Sequence, residues 1–426
     1  FTNETIFTGE NENRLMERED KSSLWDMLYV DGITFNNYKV TKDWRFLYFR
    51  NSVTFQNNKV INCAANATLV YGEENFIVRD CYFANNSNLG DLTKTNSVIY
   101  FCGYAVGSLP NRMENCAFEA NKMQSFGLYN YNGGPQNQSD EVLITKCLFK
   151  DNTDKCIGIA YDWSEGTMAI TDCLFEGNAT TVSGTVLSGK SNVQASFANN
   201  IIRNNQNTAE SGDEWRSALI TTVSNMVLAN NLIVNNTSKQ LLIDIQGGTQ
   251  LNNTIANNKG TLYIDGAGSP FWYNNEASRE KAVEVAANNE QCWIEYSAFD
   301  TEIDFGEATN SNNVVDATPF VNPASFKGVA TDATQKEESA KADYSLKEAS
   351  LAINYNCELE DAWVEKFMKK DIAGNNRIVS GKINMGAYQG SALTGIYRNK
   401  VDNGSSVVAY GNQLVVTSDE NSVVEI

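Results

Sequence analysis

One short pattern recurs along this chain and constrains its fold more than any other feature. Each copy consists of an apolar alternation, a polar residue, Cys or Asn, any residue, Phe or Ile, two further residues and Asn. Successive asparagines from Asn58 onward lie 22 to 35 residues apart, which is typical of a solenoid with one coil per repeat. The clear copies end at Asn86, Asn121, Asn152, Asn178, Asn205, Asn236 and Asn258, and weaker copies end at Phe35 and at Phe55 with Asn58.

The parity of the apolar positions predicts how each coil bends. Inward side chains fall at every second residue of a strand. Here the inward set steps by three residues from Ile144 to Cys147 and then by two to Phe149. One strand therefore ends and another begins at a sharp bend. Asn and Asp tolerate the left-handed backbone that such a bend requires, and only Lys146 departs from them. The predicted bend residues are Asp80, Asn115, Lys146, Asp172, Asn199, Asn230 and Asn252.

Stacking of the coils would place equivalent residues about 4.8 Å apart in two internal columns. We interpret the cysteines as buried packing residues, because metal binding or redox chemistry needs exposed thiolates. Buried asparagines can satisfy one another through amide hydrogen bonds. We therefore predict an all-β fold, a right-handed, single-stranded parallel β-helix. The aromatic column is Phe83, Phe118, Phe149 and Phe175, continued by Ile202, Ile233 and Ile255, and the second is Cys81, Cys116, Cys147 and Cys173, continued by Asn200, Asn231 and Asn253.

The chain changes character after about residue 267. Residues 271–275 predict one more coil, and the charged residues 327–343 predict an exposed loop. Residues 357–370 have an apolar helical face and predict a short helix that covers an open end of the solenoid. We expect a β-helix over residues 1–390, with a closing module over about 267–390, and a small β appendage over 391–426.

Composition excludes several functional classes. The chain has 52 acidic and 33 basic residues, a net charge of −19 and no histidine. This charge repels phosphate backbones, so we expect no nucleic-acid partner, and an acidic polysaccharide would need a bridging cation such as Ca²⁺. The lack of histidine excludes Ser-His-Asp triads and His-ligated zinc. The chain has no run of 18 apolar residues, so the sequence predicts no transmembrane segment. The chain begins at Phe1 rather than Met, which suggests a leader that was removed or left out.

Several segments resemble known families. ITDCLFEGNAT (170–180) resembles the pectin-lyase-like right-handed β-helix proteins. NNVVDATPFVNP (312–323), DYSLKEASLAIN (343–354), DIAGNNR (371–377) and INMGAYQG (383–390) resemble, in order, the choice-of-anchor Q closing module of bacterial secreted β-helix proteins. Changes at 317–319 and 354–356 favour a bracing role for this module over ligand binding. The tail after residue 394 resembles the start of a type IX sorting domain. Together these resemblances imply a protein secreted by, or on the outer-membrane surface of, a Gram-negative bacterium.

The resemblance does not supply a catalytic residue. The polygalacturonase-like hydrolases need paired Asp and Gly-His-Gly, and the pectate lyases need RxPxxR, and neither motif is present. A lyase that uses a lysine base stays open, so a lyase is favoured over a hydrolase if the protein is catalytic.

An independent signal comes from aromatic and charged residues at similar distances after the repeat Asn. Equal offsets predict one edge of the solenoid, where aromatic faces would stack on sugars. Loop packing is the alternative explanation. The candidate substrate-binding residues are Tyr129, Tyr131, Tyr161, Trp163, Lys190, Trp215, Arg216 and Asp244, and the candidate catalytic residues are Asp162, Glu165, Asp213 and Glu214.

Two functions follow from these observations. The first is a secreted or cell-surface β-helix that binds a polysaccharide or glycan and could also cleave it. Hydrolysis would require two carboxylates about 5 to 9 Å apart. The second is a non-catalytic surface rod or adhesin. We expect a monomer in both cases, with Ca²⁺ as the one cofactor to consider, and no metal-ligating residue is assigned.

Overall fold

The computed structural model is a parallel β-helix. It describes residues 5–18, 27–50, 52–90, 97–104, 111–129, 142–160, 167–189, 194–210, 217–222, 226–286, 292–353, 365–367, 369–389, 406–410 and 413–417. Strands of successive coils pair in parallel and stack into four sheets, which we number 1 to 4 in the order in which a coil meets them. This confirms the predicted fold class.

Sheets 1 and 2 form adjacent sides of the solenoid. Sheet 1 contains β3 Leu28–Asp31, β6 Val53–Gln56, β10 Phe76–Arg79, β14 Arg112–Glu114, β17 Val142–Thr145, β20 Thr167–Thr171, β24 Gln194–Ala198, β28 Val227–Ala229, β33 Trp293–Glu295 and β35 Thr309–Ser311. Sheet 2 contains β7 Lys59–Ile61, β11 Tyr82–Ala84, β15 Ala117–Glu119, β18 Leu148–Lys150, β21 Leu174–Glu176, β25 Ile201–Arg203, β29 Leu232–Val234, β34 Ala298–Phe299 and β36 Val314–Val315.

The other two sheets complete each coil. Sheet 3 is short and contains β8 Ala64–Ala65, β12 Ser87–Asn88, β22 Ala179–Thr180 and β26 Gln206–Asn207. Sheet 4 contains β2 Met16–Arg18, β5 Arg45–Phe49, β9 Thr68–Glu74, β13 Ser97–Tyr104, β16 Gln124–Tyr129, β19 Ile157–Ala160, β23 Leu187–Gly189, β27 Ala218–Thr222 and β32 Val283–Val285. Four longer strands contribute to more than one sheet, namely β1 Thr5–Asn11, β4 Ile33–Val40, β30 Thr237–Ala256 and β31 Lys259–Tyr273.

Two left-handed bends shape most coils. All seven predicted bend residues have positive φ, including Lys146 at 58°, and they join sheet 1 to sheet 2. A second column of bends, which the sequence analysis did not predict, joins sheet 2 to sheet 3 just before the repeat asparagine. Its members are Asn85, Ala120, Asp151, Gly177, Asn204, Asn235 and Asn257.

The predicted aromatic column is confirmed. Phe83, Phe118, Phe149 and Phe175 pair in direct register, and their ring centroids lie 4.8, 5.0 and 4.8 Å apart. The predicted continuation through Ile202, Ile233 and Ile255 follows in the same register.

One alignment in the sequence analysis was wrong. Phe55 pairs with Val78 in sheet 1, and Val60 is the residue that pairs with Phe83. In this coil the two inward bend residues are exchanged, because Asn58 occupies the position of Cys81 at the first bend. A search for the repeat asparagine therefore selected the wrong bend.

Asparagines stack at both bends and satisfy one another. At the first bend the Nδ2 of Asn200 donates to Asn231 Oδ1 at 3.1 Å, and Asn231 Nδ2 donates to Asn253 at 2.9 Å, as predicted. At the second bend a longer asparagine ladder has Nδ2 to Oδ1 distances of 2.8 to 3.0 Å. The members of this ladder are Asn86, Asn121, Asn152, Asn178, Asn205, Asn236, Asn258 and Asn275.

The described residues 320–353 and 369–389 pack against the side of the solenoid, on the outer face of sheet 2. Phe320 of β37 Phe320–Asn322 contacts Phe271 with ring centroids 4.8 Å apart, and Tyr344 of the antiparallel β38 Asp343–Leu346 lies 5.5 Å from Phe320. The bend residue Asn257 donates to the carbonyl of Ala324. These contacts fit the bracing role expected of this segment, and that role stays a prediction.

Two expectations for this region were wrong. Residues 333–341 form a helix, α1 Ala333–Lys341, where an exposed loop was predicted, and Asp332 caps it by accepting from the Gln335 N–H. The expected capping helix is described only at 365–367, and Phe367 packs on Ala198 and Ala229 at the side of sheet 1 rather than over an end.

The predicted appendage contains strands where expected. β39 Ser406–Tyr410 and β40 Gln413–Thr417 form an antiparallel pair. Among the described helices, none has the length and apolar character needed to cross a membrane.

Candidate functional site

Most of the predicted site residues lie outside the described part of the chain. They are Tyr131, Tyr161, Asp162, Trp163, Glu165, Lys190, Asp213, Glu214, Trp215 and Arg216. Tyr129 ends β16, and only its backbone is described. Asp244 lies in β30 opposite Thr221, and 3% of its surface is exposed, so it is part of a sheet face and not of a loop.

The described neighbours of these residues show where each group attaches to the solenoid. Tyr129 pairs with Ala160, and Gly189 pairs with Ile159, so residues 161 and 190 follow adjacent strand ends in sheet 4. Residues 213–216 instead precede β27, at the opposite end of the strands in the same sheet. The common offset from the repeat asparagine did not distinguish these two ends.

The outer face of sheet 4 lies between these two ends and carries one continuous register of outward residues. Each outward residue alternates with core residues such as Val70, Ile99 and Phe126, which are fully buried. We call this register the outer column. It runs through Glu17, Tyr48, Tyr71, Tyr100, Gly127, Gly158, Ser188, Thr221 and Asp244.

Three tyrosines on successive coils form an aromatic surface within the outer column. The rings of Tyr48 and Tyr71 lie 5.5 Å apart and are tilted by 48°. The rings of Tyr71 and Tyr100 are stacked, with centroids 5.4 Å apart and an interplanar angle of 10°. We call Tyr48, Tyr71 and Tyr100 the tyrosine row.

Small residues beyond the row let neighbouring side chains lie flat on the sheet. A Cβ at Gly127 would lie 2.6 Å from Cδ2 of Tyr100, and a Cβ at Gly158 would lie 2.3 Å from Oε1 of Gln124. Gln124 is held there by its Nε2, which donates to the carbonyl of Phe126 at 3.0 Å. The glycines therefore allow Tyr100 and Gln124 to cover the adjacent coils.

The N-terminal end of the row carries three arginines. The guanidinium carbon of Arg45 lies 4.3 Å from the Tyr48 ring centroid and 4.1 Å from that of Tyr71, which is cation–π geometry. Arg14 also lies over Tyr48, at 5.1 Å. Arg50 Nε lies 3.2 Å from Glu73.

The surroundings of the tyrosine row shift the pKa values of Tyr48 and Asp43. Burial, together with the 2.7 Å hydrogen bond that the Tyr48 hydroxyl donates to Glu73, raises the pKa of Tyr48 to about 12. Tyr48 therefore stays protonated as a donor at physiological pH. Burial works to raise the pKa of Asp43, but hydrogen bonds from Arg14 and from the Arg45 backbone outweigh it and lower that pKa. The lowered pKa keeps the Asp43 carboxylate ionised beside Arg14.

The tyrosine row was present in the sequence but was missed. Each tyrosine is the central residue of an apolar triplet, Leu47-Tyr48-Phe49, Val70-Tyr71-Gly72 and Ile99-Tyr100-Phe101, one coil apart. The sequence analysis searched at fixed offsets after the asparagine and so did not select these three positions. Among the described residues, no group of three or more Cys, Asp or Glu converges as a metal site.

Comparison with known proteins supports the fold but identifies no ligand and no activity. Residues 27–206 match the family model described as right handed beta helix region. No curated protein and no solved structure matches the chain. The matched region includes the tyrosine row and most of the coils described above, and the chain is a right-handed parallel β-helix.

Proposed function

We propose that this β-helix protein binds a polysaccharide along the outer face of sheet 4. The observation that carries the proposal is the parallel pair of rings, Tyr71 and Tyr100, which lie 5.4 Å apart on successive coils. Both side chains are partly exposed. Flat aromatic faces stack on the C–H faces of sugar rings, and adjacent polar groups bind hydroxyls. The exposed Trp44, at 67%, directly precedes Arg45 at the same end of the sheet.

The outer column extends this surface along sheet 4. It continues through Gly127, Gly158 and Ser188, whose strands end near Tyr129, Ala160 and residue 190. We propose that a chain-like ligand follows this column, and contact with the aromatic and acidic residues predicted from the sequence stays a prediction. Cleavage by Asp162, Glu165, Asp213 or Glu214 stays a prediction, with a lyase favoured over a hydrolase.

We also propose that the protein acts outside the cytoplasm, at the surface of a Gram-negative cell or secreted from it. The order of the four segments that resemble the closing module supports this location. Protease treatment of intact cells checks it, because a surface protein is digested before the cells are lysed.

The binding proposal is tested with soluble acidic and neutral polysaccharides, each with and without Ca²⁺, by affinity electrophoresis and calorimetry. Removing a stacked ring costs about 0.5–1.5 kcal/mol, so we expect Tyr71→Ala and Tyr100→Ala each to weaken binding by about three- to tenfold. The matched control is Tyr29→Ala, because Tyr29 is 62% exposed on the outer face of sheet 1.

Equal loss in the control and the row variants, or no binding by the unchanged protein to any polysaccharide, would contradict the proposal and favour the non-catalytic rod. Mass spectrometry of the same incubations detects any cleavage products and identifies the type of reaction. Unsaturated product ends identify a lyase, and saturated ends identify a hydrolase.

A further inference from the structure

The carboxylates around the tyrosine row are already engaged. Arg14 binds Asp43 at 2.8 Å and Glu17 at 2.7 Å. Glu73 accepts from the Tyr48 hydroxyl and pairs with Arg50. Asp43, Glu17 and Glu73 each therefore have a cationic or hydroxyl partner within this cluster, and Arg14 is shared by two of them.

Arg45 has a different environment from the other two arginines. It stacks on two tyrosine rings, and it forms no ion pair with any carboxylate in the part of the chain that the structure describes. The side chain is partly exposed. A guanidinium presents a planar fork of N–H donors that matches a carboxylate or a sulfate, and among the described residues this fork has no acidic partner.

The position of Arg45 is fixed before any ligand arrives. Its backbone N–H donates to Asp43 Oδ1 at 3.2 Å, and its backbone pairs with Thr68 in the next coil. The two aromatic contacts hold the guanidinium beside the Tyr71 ring. A donor group that is already ordered loses little conformational entropy on binding, so it contributes more to affinity.

We infer that Arg45, stacked over the Tyr48 and Tyr71 rings, binds the carboxylate or sulfate group of an acidic sugar whose ring lies on Tyr71 and Tyr100. The inference rests on the proposed function and names its ligand class. It also replaces the expected bridging Ca²⁺ with a side chain of the protein. The net charge of −19 opposes this only weakly, because charges beyond about 8 Å are screened at physiological ionic strength.

The test compares Arg45→Gln, Arg45→Met and Arg45→Lys with the unchanged protein by calorimetry in EDTA. The probes are oligogalacturonides for the carboxylate, sulfated galactose oligosaccharides for the sulfate, and neutral cello-oligosaccharides. We expect the Gln and Met variants to lose about tenfold to a hundredfold in affinity for one acidic class, and less than about twofold for neutral probes. The lysine variant keeps the charge but not the fork, so its loss is intermediate. The acidic class for which the affinity falls shows whether Arg45 binds a carboxylate or a sulfate.

Arg79→Gln is the matched control, since Arg79 is an exposed arginine of sheet 1 that binds Gln56. Thermal melts establish that each variant is folded. Equal affinity of the Arg45 variants and the unchanged protein for acidic probes overturns the inference, and so does an equal loss for acidic and neutral probes. Either result leaves the proposed function standing when Tyr71→Ala still weakens binding. Failure of the unchanged protein to bind any probe overturns both.

Discussion

At the scale of single residues, the bends of this solenoid share a left-handed backbone conformation but not a residue type. The first bend is mostly Asn or Asp, and Lys146 adopts the same left-handed conformation there with φ 58°. The second bend includes Ala120, with φ 54°, and Gly177, with φ 70°. Asn and Asp relieve a left-handed backbone through their short polar side chains, but alanine cannot. Strain is therefore stored at Ala120.

This strain predicts an unusual result for a glycine substitution. Ala120→Gly removes the Cβ clash, and we expect it to raise the free energy of unfolding by about 0.5 kcal/mol or more. The matched control in the same coil is Ala117→Gly, where the residue is 4% exposed in the extended strand β15, and we expect a decrease of about 1 kcal/mol. Urea unfolding measures both. A decrease in both variants would contradict the strained bend.

The two bend columns explain how far the sequence could predict the coil. The first column was predicted because the step from Ile144 to Cys147 breaks the alternation of inward residues. The second column shares a conformation but no residue type, since Ala120, Asp151 and Gly177 occupy equivalent places. In an earlier coil Asn58 occupies the first bend, and Cys63 occupies the second bend at the position of Asn86. A search that assigned one residue type to each bend did not detect this exchange.

At the scale of elements, residues 320–389 show what the periodic pattern cannot predict. Helix α1 has one buried residue, Ser339, whose hydroxyl donates to Asn235 Oδ1 at 3.1 Å. A helix held by a cap and by such a polar contact has no apolar stripe to detect. The location of Phe367 depends on tertiary contact with sheet 1, which local sequence does not encode.

The packing of this segment predicts a large difference between two neighbouring residues. Phe320 is 1% exposed and lies against Phe271, Tyr273 and Tyr344, whereas Val321 is 51% exposed. We expect Phe320→Ala to lower the free energy of unfolding by about 3–5 kcal/mol and Val321→Ala to change it by less than about 0.5 kcal/mol. Calorimetric melting of both variants is the measurement. Similar melting temperatures would show that the segment does not brace the last coils.

At the scale of the whole molecule, the regular coils and the binding face have different origins in the sequence. The stacked Phe83 to Phe175 column repeats because every coil must fill the same core, so the sequence predicts it well. The tyrosine row occupies only three coils and varies along the outer column, from Tyr100 to Gly127 and Gly158. Its members come together only after the register is known. Most of the residues predicted from their offset after the repeat asparagine lie outside the described part of the chain, so they stay predictions.

The most direct test of the account is a crystal structure of the protein with an acidic oligosaccharide. The account predicts successive sugar rings over Tyr71 and Tyr100, with an acidic group within hydrogen-bonding distance of the Arg45 guanidinium. An oligosaccharide bound away from sheet 4, or on this face with its acidic groups turned from Arg45, would contradict it.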